Sequence, residues 1–209
     1  MFHFHRSVAL SVALLASPVH AGFDEAVAAF ERGDYARVQV ELRPLLQAGD
    51  ARAQYSMGVL YENGFGVGKD PAVAADWYRK AALQGNTDAQ YNLGAMNEHG
   101  VGMPVNYAEA VRWYRPAAEV GDIDALSNLG VLYQNGQGVK QDKVLAMALY
   151  NLSVAFAGNG RTQAAQNRQA LANQMPLDDV KQSLTLTDEL LKPGNLKPGL
   201  EKYLNPAAH

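Results

Sequence analysis

The chain contains no cysteine in 209 residues, which excludes disulfides, thiolate metal sites and a cysteine nucleophile at once. It lacks a His-Glu-x-x-His pair, and no serine is followed three residues later by lysine, so the zinc-hydrolase and penicillin-type nucleophile patterns are both missing. Blocks of like charge are missing too. The 18 Lys+Arg and 21 Asp+Glu residues are scattered, which disfavours nucleic acid or an anionic membrane surface as a partner. The longest apolar run, Val8 to Ala16, is less than half of the about 20 residues that a bilayer core requires.

That run belongs to a segment with the grammar of an export leader. Arg6 supplies the single positive charge, Val8 to Ala16 the apolar centre, and Pro18-Val19-His20-Ala21 the cleavage region, with cleavage expected after Ala21. The mature chain is therefore expected to be periplasmic or secreted, with no membrane insertion once the leader is gone. Its net charge moves from −3 to about −4 with the loss of Arg6.

What the chain does have is a fixed period. Three abutting stretches of 36 residues start at Gly49, Gly85 and Gly121 and repeat whole columns. Ala53 aligns with Ala89 and Ala125, Gly58 with Gly94 and Gly130, and Tyr78 with Tyr114 and Tyr150. A glycine pair, Gly64 and Gly66, recurs as Gly100 and Gly102 and as Gly136 and Gly138. A period of this length marks a stacked array of supersecondary units.

Each unit carries two helical patterns joined by a glycine-punctuated turn. Ala53, Met57, Leu60 and Tyr61 form an apolar stripe at helical spacing in the first unit. Gly58 interrupts that stripe. Because a mid-helix glycine costs about 1 kcal/mol relative to alanine, its recurrence predicts a crossing too close for a Cβ, with Tyr78, Tyr114 and Tyr150 filling the adjoining space. Asp34, Asp70, Asn106 and Asp142 are expected N-caps of the second helices. Pro44 and Pro116 share a column and predict a local bend late in the second helix.

The pattern A-x-x-x-L-G, then G-x-G-V, then A-x-x-W-Y-x-x-A-A-x-x-G resembles the Sel-one-like repeat family, relatives of tetratricopeptide arrays. Ala53, Gly58, Gly64, Gly66, Ala74, Trp77, Tyr78, Ala81 and Ala82 and their counterparts carry the match over about residues 23–175. The resemblance implies an all-α fold, a right-handed α/α superhelical solenoid of tandem helix-turn-helix repeats whose concave surface is lined by first helices. It also implies adaptor or scaffold roles; exported bacterial members are associated with envelope functions, host interaction and immunity against delivered toxins.

The expected organisation is a leader at 1–21, a capping helix pair at 22–48, repeats at 49–84, 85–120 and 121–156, capping helices at 157–191, and a loosely ordered tail at 192–209. In the third unit Leu149 replaces the tryptophan of Trp77 and Trp113, so its second helix is expected to pack differently against the cap. The two tryptophans are expected to pack between units rather than to serve as ligand platforms.

Candidate chemistry is sparse. After the leader only His99 and His209 remain, and His99 is expected at a helix end with left-handed geometry. Gly64-Phe65-Gly66 follows a helix and not a strand, so it is no phosphate loop. No catalytic residue, metal site or cofactor is assigned, and the chain is expected not to be an enzyme.

Recognition is instead expected on first-helix residues off the glycine-alanine stripe. These are Arg52, Tyr55, Ser56, Val59 and Glu62 in the first unit, and Asp88, Tyr91, Asn92, Ala95 and Glu98 in the second. Asp124, Ser127, Asn128, Val131 and Gln134 complete the row in the third. Tyrosines and amides combine contact area with adaptable hydrogen bonding, which suits a protein or peptide partner. The functional expectation is a non-enzymatic interaction module, either an envelope adaptor or an immunity protein against a periplasmic toxin. The alternatives are a scaffold in a secretion or polysaccharide assembly and, last, a cell-wall-directed hydrolase or ligand-binding enzyme. Sequence leaves the oligomeric state open.

Overall fold

Capping chemistry sets the helix boundaries and repeats with the sequence. In the computed structural model, which describes residues 18–158 and 162–204, α1 (Pro18–Glu31) and α2 (Tyr35–Gln47) precede three helix pairs. These are α3 (Ala51–Asn63) with α4 (Pro71–Ala82), α5 (Thr87–His99) with α6 (Tyr107–Glu119), and α7 (Ile123–Asn135) with α8 (Lys143–Ala157). Then follow α9 (Gln163–Ala172), α10 (Leu177–Leu190) and α11 (Leu196–Leu204). The expected leader falls outside the described residues except for 18–21, whose backbone joins α1.

Asp34, Asp70, Asn106 and Asp142 each accept a backbone N–H from the first turn of α2, α4, α6 and α8. First helices are capped in the same way by Asp50, Asn86 and Asp122, a second set of caps that the sequence reading did not single out. Pro44 and Pro116 lie inside α2 and α6, which both run on for three more residues.

Two glycine columns shape the turn of each unit, and the second locks it onto the unit before. Gly64, Gly100 and Gly136 end the first helices in the left-handed conformation. His99, expected there, is the last helical residue and exposed; the left-handed turn falls one residue later because Gly100 carries no Cβ penalty. Two residues on, Gly102 and Gly138 have positive φ and sit against backbone. A Cβ would come within 2.6 Å of Pro71 C in the first case and 2.4 Å of Tyr107 C in the second. The turn of each unit therefore presses on the start of the preceding unit's second helix.

Gly58, Gly94 and Gly130 answer a different need. A Cβ there would come within 2.4, 2.4 and 2.5 Å of the rings of Tyr78, Tyr114 and Tyr150. The close approach is thus made by a tyrosine ring lying flat on the first helix, not by the partner helix backbone. All three rings are fully buried.

Stacking is continuous: α4 packs on α5 and α6 on α7. The array is an all-α solenoid of helix-turn-helix repeats of about 36 residues. At the N-terminal end Phe30, Tyr35 and Phe65 form an aromatic knot, with Tyr35 stacked on Phe65 at 4.9 Å between ring centroids. At the other end α9 and α10 pack on α8. Residues Leu145 to Ser153 are consequently all buried, so Leu149 is enclosed where Trp77 and Trp113 are half-buried. Lys80 Nζ lies 4.0 Å above the Trp77 ring.

The tail corrects an expectation. Residues 196–204 are not loosely ordered but form α11, which packs on α6 and α10 with Leu200 and Leu204 at 0% exposure. The prolines and glycines at 193–199 hid an i, i+4, i+8 spacing of Leu196, Leu200 and Leu204 that faces the core. Among the described residues no helix is long and apolar enough to cross a membrane.

Candidate protein-binding wall

The first helices α3, α5 and α7 place the candidate residues in a row, and a bond pattern repeats beneath them. Tyr78 Oη donates to a Glu62 carboxylate oxygen at 2.6 Å, Tyr114 Oη to Glu98 at 2.8 Å, and Tyr150 Oη to Gln134 Oε1 at 2.8 Å. Each bond ties the second helix to the last turn of the first. In the second unit the tie extends across the repeat boundary, since Asn128 Nδ2 of α7 donates to Tyr114 Oη at 3.0 Å. Asn92 occupies the same column in α5, yet its Nδ2 is buried without a partner in hydrogen-bonding geometry.

Tyr55 and Tyr91 lie against this layer rather than inside it. Their rings tilt onto Tyr78 and Tyr114 at 5.6 and 5.7 Å between centroids, and both remain half-buried. Burial raises the Tyr55 phenol to about 12, with Asp88 adding to the effect and the nearby Asn92 amide opposing it. Tyr91 is raised by burial first and then by Asp124. Tyr78 and Tyr114 go well above the ordinary phenol range, through burial first and then their glutamates.

The structure separates the candidates by what each already does. Asp88 and Asp124 are exposed, while Glu62, Glu98, Gln134, Asn92, Asn128, Val59, Ala95 and Val131 are half-buried. Ser127 is 8% exposed and belongs to the interior, because α7 carries the small serine where α3 and α5 carry a tyrosine. Arg52 is engaged as well. Its guanidinium bonds Asp50 at 2.9 Å and stacks 4.5 Å over the Phe23 ring, joining α3 to α1. The same contact holds the Asp50 carboxyl below its usual range. Ser56 Oγ donates to Arg52 O at 2.9 Å. The row that faces outward is thus centred on Tyr55, Tyr91, Asp88 and Asp124.

Sequence reasoning had no access to the Tyr–Glu and Tyr–Asn bonds. Their only signal was a constant separation of 16 residues between Glu62 and Tyr78, Glu98 and Tyr114, and Gln134 and Tyr150. Among the described residues no group of three or more His, Asp or Glu side chains is placed to hold a metal ion.

Comparison with known proteins agrees with this geometry. The Sel1 repeat model matches residues 51–86, 87–122 and 123–155. Among solved structures the chain is similar to a Sel1 repeat protein from Oxalobacter formigenes, at 27% identity and a TM-score of 0.66. That match covers 86% of this chain and 72% of the other. It is also similar to a protective antigen present in uropathogenic Escherichia coli strains displaying an SLR fold, at 32% identity and a TM-score of 0.64, over 82% of this chain and 39% of that longer one. No curated protein matches the chain in sequence. With three matched units taking in half its length and the glycine, alanine and tyrosine columns in their structural places, the chain belongs to the Sel1 repeat family.

Proposed function

We propose that this chain is an exported, non-enzymatic interaction module that docks a protein or peptide along the wall formed by α3, α5 and α7. Repeats of this family mediate protein interactions. The observation that carries the reading here is the half-buried state of Tyr55 and Tyr91: each ring is braced from below by a buried tyrosine and leaves part of its surface free. A pre-braced aromatic loses little conformational freedom when a partner covers it, which is the property of a binding anchor.

A photo-crosslinking residue placed at exposed Asp88 or Asp124 in cells is expected to capture one discrete partner. The same residue at exposed Asp76, on α4, is expected to capture none. Equal capture at position 76, or none on the wall, overturns the reading. Export is tested separately by intact mass of the native protein, which is expected to begin at Gly22; a retained Met1 refutes it.

A further inference from the structure

Charge is segregated between the two layers of helices. Helices α5 and α7 contain no lysine or arginine, and α3 contains only Arg52, which Asp50 already neutralises. Basic residues sit on second helices instead, at Arg79, Lys80, Arg112, Arg115 and Lys143. The wall carries Glu62, Asp88, Glu98 and Asp124, and among the described residues none of these four makes an ion pair. Asp122, capping α7, is half-buried between Asp124 and Asp88; burial first and these two like charges next raise its carboxyl above the usual range. So Asp88 of one repeat and Asp122 and Asp124 of the next form a single field that acts on the Tyr91 ring, with no lysine or arginine among the described residues offsetting it there.

Resting on the wall reading above, we infer that the partner presents an extended segment bearing lysine or arginine side chains along one face. Cations satisfy both features of the wall: they neutralise the unpaired carboxylates, and they stack on the accessible tyrosine faces. A polyproline II segment returns to the same face every three residues, so basic side chains at every third position would all be turned toward the wall.

The test uses the full mature chain and fluorescein-labelled peptides at low salt, read by anisotropy. Lys-Pro-Pro-Lys-Pro-Pro-Lys is expected to bind, more weakly as salt rises, and at least tenfold more tightly than the same peptide with glutamate for lysine. Asp88→Asn with Asp124→Asn is expected to weaken it about fivefold or more. Asp76→Asn with Asp188→Asn removes equal charge from exposed positions off the wall and is expected to leave affinity unchanged. The inference fails if acidic and basic peptides bind alike or not at all, if the wall variant keeps full affinity, or if the off-wall variant loses as much. Circular dichroism checks that both variants fold. Crosslinking at positions 88 and 124 to a non-basic, salt-insensitive partner would sink this inference alone; absence of any crosslink there would sink the wall itself.

Discussion

A tyrosine ring and a missing methyl group define the core of each repeat. At Gly94 an alanine would put its Cβ 2.4 Å from Tyr114 Cδ1 and 2.8 Å from Cγ, and that ring is pinned by Glu98 and Asn128. Alanine is the better helix former by about 1 kcal/mol, but overpacking a filled core costs about 1–3 kcal/mol. Gly94→Ala is therefore expected to lower stability by about 1–2 kcal/mol; an unchanged or higher urea midpoint would refute the packing argument. The same layer sets an alkaline limit. A phenol is neutral when protonated, so a folded-state value raised above 10 favours the native state fully below pH 10. That contribution fades as pH climbs from 10 through about 12, where Tyr55 titrates, and beyond it for Tyr78 and Tyr114. The melting temperature is expected to drop between pH 9 and pH 11.5, with delayed phenolate absorbance at 295 nm until unfolding. Titration of Tyr55, Tyr78 and Tyr114 near pH 10 in a folded chain would contradict it.

Between elements, the turn glycines do more than end helices. Gly138 and Gly194 both have positive φ, at 72° and 76°, so alanine is strained at either. They differ in surroundings: a Cβ at Gly138 meets Tyr107 backbone within 2.4 Å, whereas one at Gly194 meets nothing within 4 Å. Backbone cannot swing aside as a side chain can. Gly138→Ala is expected to cost at least about 2 kcal/mol and Gly194→Ala about 1 kcal/mol, the latter being conformational strain alone. Chemical denaturation of the two variants side by side checks the order, and equal losses would mean that the turn does not clamp the preceding repeat.

Across the whole molecule, the last helix returns to the middle of the array. Because α11 packs on α6 as well as on α10, it links the second repeat to the C-terminal cap. Leu200→Ala removes a side chain with no exposure and is expected to cost about 2–5 kcal/mol. It is also expected to hasten proteolysis within 192–204, which limited trypsin digestion followed by mass spectrometry would read. A cut rate equal to that of the unmutated protein would show that α11 does not secure the tail.

The period, the helix pairs and the second-helix caps were legible in the sequence, since each arises from contacts within one repeat or between identical neighbours. Asp70 caps α4 whatever lies elsewhere, and Gly58 signalled a close approach in the sequence, although packing decided that the Tyr78 ring and not the partner helix backbone makes it. Three things depended on groups distant in the chain or brought together only by stacking, and the tertiary structure alone decided them. The tail is a helix because α6 and α10 offer it an apolar seat. Arg52 left the candidate surface because Phe23 and Asp50 occupy its guanidinium. Asp88, Asp122 and Asp124 became one electrostatic field because α5 and α7 stack side by side, and no linear spacing encodes a distance between charges that only packing brings within reach.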